Sequence, residues 1–300
     1  MKKKFFWKVW TVLCLGIAVL CLGVTSCKRV EQDKKADEYE KLAQSSGESV
    51  RNTVEGSLAD TTDKSNTTGK NDSASGNTGE GSADNNKETT LLEKDYQFIS
   101  DEKIPFEPQV IDFDKLCSET NSDIYAWITI PDTKIDYPIV QHATNNEYYL
   151  NYNLDGSKGY PGCIYTENYN SKDFSDFQTV IYGHNMKNGS MFAHLHKFED
   201  AKFFEEHPYV FIYTPDRLLV YKIFASYEYS NDHLLFQYDL STENGRNEYL
   251  NAVQTVRDMG RNIRNDNFPT EDSHIISLST CIQTKPDNRY IVQGVLLNDY

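Results

Sequence analysis

From residue 126 onward the chain repeats one pattern: short apolar runs broken by turn residues. The runs cover 126–130, 135–140, 162–165, 179–182, 209–213, 218–227, 274–278 and 290–297. They are rich in β-branched and aromatic residues and have strand lengths, so each predicts a half- or fully buried strand. Pro131-Asp132, the stretch 153–159 and Pro215-Asp216 separate several of them with turn chemistry. Three stretches carry helical spacing instead. Residues 111–121 put Phe113, Leu116 and Cys117 on one side, and 190–198 leads into a second short helix over 200–206. Residues 243–263 predict a longer helix from Tyr249, Leu250, Val253, Val256 and Met259, with Ser241 or Thr242 as N-cap. Eight strands with few helices predict a mainly β domain, a closed or nearly closed barrel with peripheral helices.

The first hundred residues follow other rules. Lys2, Lys3, Lys4 and Lys8 precede an apolar run over 9–27. At about 1.5 Å per residue such a run reaches close to the ~30 Å of a bilayer core. Residues 1–30 therefore read as a basic cytoplasmic tip plus a single-pass membrane anchor, with the rest of the chain outside. The segment Val24-Thr25-Ser26-Cys27 also resembles a bacterial lipoprotein box, which would give the same outward topology. Residues 31–95 are Ser, Asn, Asp, Gly, Thr, Lys and Glu with almost no aromatics, the composition of a disordered spacer. A coil of that length holds its domain on the order of 40–50 Å from the membrane. The foldable domain is 96–300.

Charge and cysteines narrow the function. The formal net charge of −15 argues against nucleic acid as a partner. Of six Cys, three lie in the apolar N-terminal run, leaving Cys117, Cys163 and Cys281 for the domain. None has the CxxC spacing of a zinc site, and an odd number leaves at least one thiol unpaired within the chain.

Cys281 is the thiol that asks for an explanation. HIISL over 274–278 reads as a core strand running directly into Ser279-Thr280-Cys281, so the thiol sits at the tip of a rigid element. Arg289 follows eight residues later, just before the final apolar strand. A cation held beside sulfur steadies a thiolate, and also the oxyanion formed when a thiolate attacks an amide. His184 follows the strand 179–182 in VIYGHNM, after Gly183, and at a strand end it could face Cys281.

These segments together resemble the sortases, and class B most of all. SLSTC with a following Arg, GHNM after an apolar strand, WITIPDTKIDYPIVQ at 127–141, NNEYYL at 145–150 and GCIYTENYN at 162–170 all fit. A helix before the Cys strand fits too, and the likeness spans about 105–298. It implies an eight-stranded sortase barrel and a two-step transpeptidation with Cys281 as nucleophile, His184 as acid/base and Arg289 as oxyanion stabiliser. It also implies substrate contacts at Ser279, Thr280, Asn146 and Leu150, and no metal or organic cofactor. The implied partners are secreted proteins bearing a sorting signal and an amine of a peptidoglycan precursor. Ser277 stands where Thr is usual, and Ile282-Gln283 stand where an acidic residue often follows the Cys, so no carboxylate member is expected. A pilin-polymerising sortase remains an alternative, although no Asp-Pro-Trp-like lid is present. A papain-like peptidase would reverse the order of Cys and His. A non-catalytic surface module would explain the anchor and spacer but not Cys281, His184 and Arg289.

Overall fold

The computed structural model describes residues 29–45 and 109–297. The apolar run assigned to a membrane anchor lies outside the described residues. Among the described residues, no helix is long and apolar enough to cross a membrane.

All eight expected strands form: β1 (Ile124–Thr129), β2 (Asp136–Val140), β3 (Ile164–Thr166), β4 (Gln178–Tyr182), β5 (Tyr209–Tyr213), β6 (Leu218–Ser230), β8 (Ile275–Ile282) and β9 (Lys285–Leu296). Their order is β5-β1-β2-β3-β4-β8-β9-β6, and β6 pairs back onto β5, which closes an eight-stranded barrel. A ninth strand, β7 (Asn262–Ile263), was not expected. It pairs with Ala225 and Ser226 of β6, beyond the point where β5 leaves that edge at Lys222. The edge that β5 abandons is thereby covered.

Alternation along the wall strands divides the core in two. Ile181, Ile276, Leu278 and Val292 join the larger core cluster, with Ile128 and Ile139 sharing one face of the β1–β2 pair. Val180, Ile275, Ile291 and Val295 face the other way, onto Tyr249, Leu250 and Val253 of the helix Glu243–Gln254. On the helix-facing side Ser277 accepts hydrogen bonds from Gln178 and Gln293, each at 2.8 Å, so the Ser at this position serves a buried polar network.

Two expectations are corrected. The helix before the Cys strand stops at Gln254, nine residues short of 263. Thr242 caps its start by accepting from Gly245 N at 3.1 Å. Past Gln254 the apolar spacing persists, but the chain leaves the helix at Thr255 and runs on into β7, and Met259 is fully exposed. The second correction concerns the tract assigned to a spacer. Residues 29–45 form a helix, α1, docked on the barrel, with Ala36 and Tyr39 buried. Tyr39 OH donates to Gly162 O at 2.9 Å and accepts from Leu154 N at 3.2 Å, and Lys35 pairs with Asp155 at 2.7 Å. Residues 36, 39, 42 and 43 lie on one helical face, a short apolar stripe inside a polar composition.

Candidate active site

The wall strand β8 has β4 on one side and β9 on the other, and the two registers build the site. With β9 the pairing is antiparallel and sets Cys281 directly opposite Arg289. Side chains of such a pair share a face, with Cβ atoms about 4.5–5.5 Å apart. With β4 the pairing is parallel and ends at Tyr182 opposite Ser279. The match continues beyond the strand: Gly183 N donates to Ser279 O at 3.1 Å, and Thr280 Oγ1 donates to Gly183 O at 2.8 Å. His184 therefore follows level with Cys281. Gly183 is required by space, since a Cβ there would lie 2.5 Å from Ile164 Cδ1 and 2.7 Å from the Phe192 ring.

The three side chains line one groove of about 230 Å³. Cys281 is exposed and carries no disulfide. His184 is half-buried, and burial pushes its imidazole below the ordinary value. Its Nε2 lies 2.8 Å from the Leu150 carbonyl, which can only accept, so Nε2 carries the proton and Nδ1 presents the lone pair. Tyr160 packs against the ring at 4.8 Å. Arg289 is held by its own hairpin, with Nη1 donating to Pro286 O at 2.9 Å and Asn288 O at 3.0 Å. Both acceptors are neutral, so neither compensates the guanidinium charge. Burial raises the Tyr165 phenol, and Cys281 and Arg289 act on it with opposite signs, so both lie within its electrostatic reach.

The further residues expected at the groove divide. Leu150, Ser279 and Thr280 line it. Asn146 does not; its Oδ1 accepts from Asn168 N at 2.8 Å and ties two loops together. The far wall was missed. There His233 Nε2 meets Glu167 Oε2 at 2.7 Å, Tyr182 OH donates to the same oxygen at 3.1 Å, and Phe236 stacks on His233 at 4.1 Å. Glu167 and His233 are 66 positions apart, and no local pattern pairs them. Tyr229 also lines this wall. Among the described residues no His, Cys, Asp and Glu cluster is arranged to hold a metal ion. An exposed thiol, an imidazole and a guanidinium without a carboxylate partner among the described residues, all in one groove, are the parts of acyl transfer through sulfur.

Comparison with known proteins agrees. The sortase domain model matches residues 128–297. Sortase B of Listeria monocytogenes is 38% identical over 182 residues, which are 59% of this chain and 71% of that protein. A Streptococcus pyogenes class B sortase involved in pilus biogenesis is similar with a TM-score of 0.54 at 34% identity, covering 62% of this chain and 98% of that one. Clostridium perfringens sortase B gives 0.55 at 25% identity, covering 62% and 100%. More than half of the chain matches the family model and its barrel is that of the class B structures, so the chain belongs to the sortase family and is a class B cysteine transpeptidase.

Proposed function

We propose that this chain cleaves a sorting signal near the C-terminus of secreted proteins and transfers them to an amine of a cell-wall precursor. The observation that carries this reading is the double register of β8, which sets Cys281 opposite Arg289 and level with His184. The Cys281 thiol gives its proton to His184 Nδ1, and sulfur attacks a backbone carbonyl carbon of the signal. Arg289 stabilises the oxyanion that develops. The C–N bond breaks as His184 returns the proton to the leaving nitrogen, and a thioacyl-enzyme remains. The acceptor amine then attacks the thioester carbon and loses a proton to His184. The C–S bond breaks, and the proton passes back to the Cys281 sulfur. Leu150, Ser279 and Thr280 contact the bound signal, and Leu150 also orients His184 through its carbonyl. A single-pass anchor within residues 1–30 keeps the enzyme at the outer membrane face.

Assembly of pilins is the second reading, and it has its own support in the pilus role of the Streptococcus pyogenes relative. Quenched sorting peptides, offered with either a peptidoglycan stem peptide or a pilin lysine peptide, decide between them. A ligated stem peptide product supports wall attachment, and ligation to the pilin lysine alone overturns it. Cleavage that persists in Cys281→Ala overturns the mechanism in either case.

A further inference from the structure

Outside the groove, the backbone carbonyl of Cys281 is gripped by side chains that the transpeptidation steps do not use. Asn185 Nδ2 donates to Cys281 O at 2.9 Å and lies 2.9 Å from His196 Nε2. His196 Nδ1 lies 2.5 Å from Glu199 Oε1, and its Nε2 is 3.1 Å from the same Cys281 carbonyl. Hydrogen-bond chemistry orders these contacts. The Glu199 carboxylate can only accept, so His196 carries its proton on Nδ1 and offers a lone pair at Nε2. One amide hydrogen of Asn185 goes to that lone pair and the other to Cys281 O. Gln283, in the turn after β8, reaches Asn185 Oδ1 at 3.4 Å, and the His196 ring stacks on Tyr290, the neighbour of Arg289, at 5.1 Å.

The position of this grip is what gives it a role. The β8–β9 register shifts between Cys281 and Ile282, so the regular ladder fails at the nucleophile. An unrestrained peptide plane there would leave ψ of Cys281, and hence the backbone that aims the sulfur, free to wander. Asn185 also directly follows His184 in sequence, so its bond to Cys281 O ties the segment bearing the imidazole to the strand bearing the thiol.

We propose that Asn185, His196 and Glu199 are positioning residues, a carboxylate–imidazole–amide chain that holds the Cys281 carbonyl and so aims the sulfur between His184 and Arg289. The proposal rests on the transpeptidase reading above and adds to it a support that lies off the substrate path.

The test compares Asn185→Ala, His196→Ala, His196→Gln and Glu199→Gln with the wild-type domain in turnover, thermal unfolding and hydrogen exchange. Asn185→Ala and His196→Ala are expected to lower kcat about 10- to 100-fold with KM within about threefold, the mark of lost alignment. Melting temperatures should move by no more than about 4 °C. His196→Gln, whose amide reproduces a donor and an acceptor, should recover most of the rate, and Glu199→Gln should lose least. Amide exchange over 281–284 should rise about tenfold in Asn185→Ala, a readout that needs no turnover. A kcat within twofold of wild type, a loss confined to KM, or unchanged exchange in Asn185→Ala overturns the positioning chain. Should Asn185→Ala fail to fold, His196→Ala read against His196→Gln carries the test, and equal rates in those two overturn the positioning chain. A wild-type domain that turns over no sorting peptide overturns the transpeptidase reading instead, and exchange in Asn185→Ala then decides the chain by itself.

Discussion

Cys163 and Cys281 are both free thiols at strand ends of one barrel, and their surroundings give them opposite chemistries. Cys163 precedes β3 beneath α1, is 1% exposed, and is pushed up to about 12 by burial. Its neighbour is the Tyr39 hydroxyl at 3.5 Å, and it donates weakly to Tyr152 O. Such a thiol stays protonated and inert at neutral pH. Cys281 is exposed in a groove, with a guanidinium across the strand pair and an imidazole level with it. Residue type predicts neither outcome. What separates the two is whether the fold leaves the sulfur a path to solvent and a guanidinium that no carboxylate among the described residues pairs with.

The contrast can be broken in a graded series. Cys281→Ala should abolish transpeptidation, a loss on the order of 10⁴-fold or more, whereas Cys163→Ala should leave turnover intact. Equal losses in the two would mean that the contrast is one of folding. Arg289→Ala should lower kcat by about 10²–10³-fold, and Arg289→Lys should recover only part of it, since a point charge replaces a planar fork. Iodoacetamide at neutral pH should modify Cys281 and spare Cys163, read by mass spectrometry of the two peptides. Labelling of Cys163 in the folded protein would show that α1 does not seal it.

The pH dependence sharpens the groove side. Burial lowers the His184 pKa in the fold, so protonation favours the unfolded chain. The stability carried by this group is complete above the ordinary 6.5 and declines as pH falls below it through the depressed value. Denaturant titrations from pH 8 to 5 should show that decline in wild type and a flatter profile in His184→Gln. The acid limb of kcat/KM should likewise lie below 6.5. The smallest effect belongs to the sealed side. Tyr39→Phe removes a buried hydroxyl that meets Gly162 O, Leu154 N and Cys163, and should cost about 1–2 kcal/mol without altering turnover. No change in the unfolding midpoint would argue that α1 adds nothing to the barrel.

The barrel was legible because its strands are dense in Val, Ile, Tyr and Phe and are cut by Pro-Asp and Gly turns. Errors arose where composition and periodicity disagreed. Helix 29–45 hides Ala36, Tyr39, Leu42 and Ala43 in a polar tract, and a compositional average conceals four apolar residues on one face. The opposite error lengthened the helix at 243, where Val256 and Met259 keep helical spacing although the helix already ends at Gln254. Asn146 was expected at the groove and instead bonds Asn168, because one residue's direction within a loop follows from its hydrogen bonds. Glu167 and Asn185 lie in segments that the sequence marks, but their pairing with His233 and with His196 and Glu199 does not show, as polar residues in loops are ordinary until partners are known.

Local order along the chain was sufficient for the strands, the turns and the thiol, imidazole and guanidinium expected at their ends, because burial patterns and turn chemistry act over a few residues. Their convergence was decided only when β8 took β4 as a parallel neighbour and β9 as an antiparallel one. Register is a choice between distant segments, made by the packing of two core layers at once, and no stretch of sequence contains it alone.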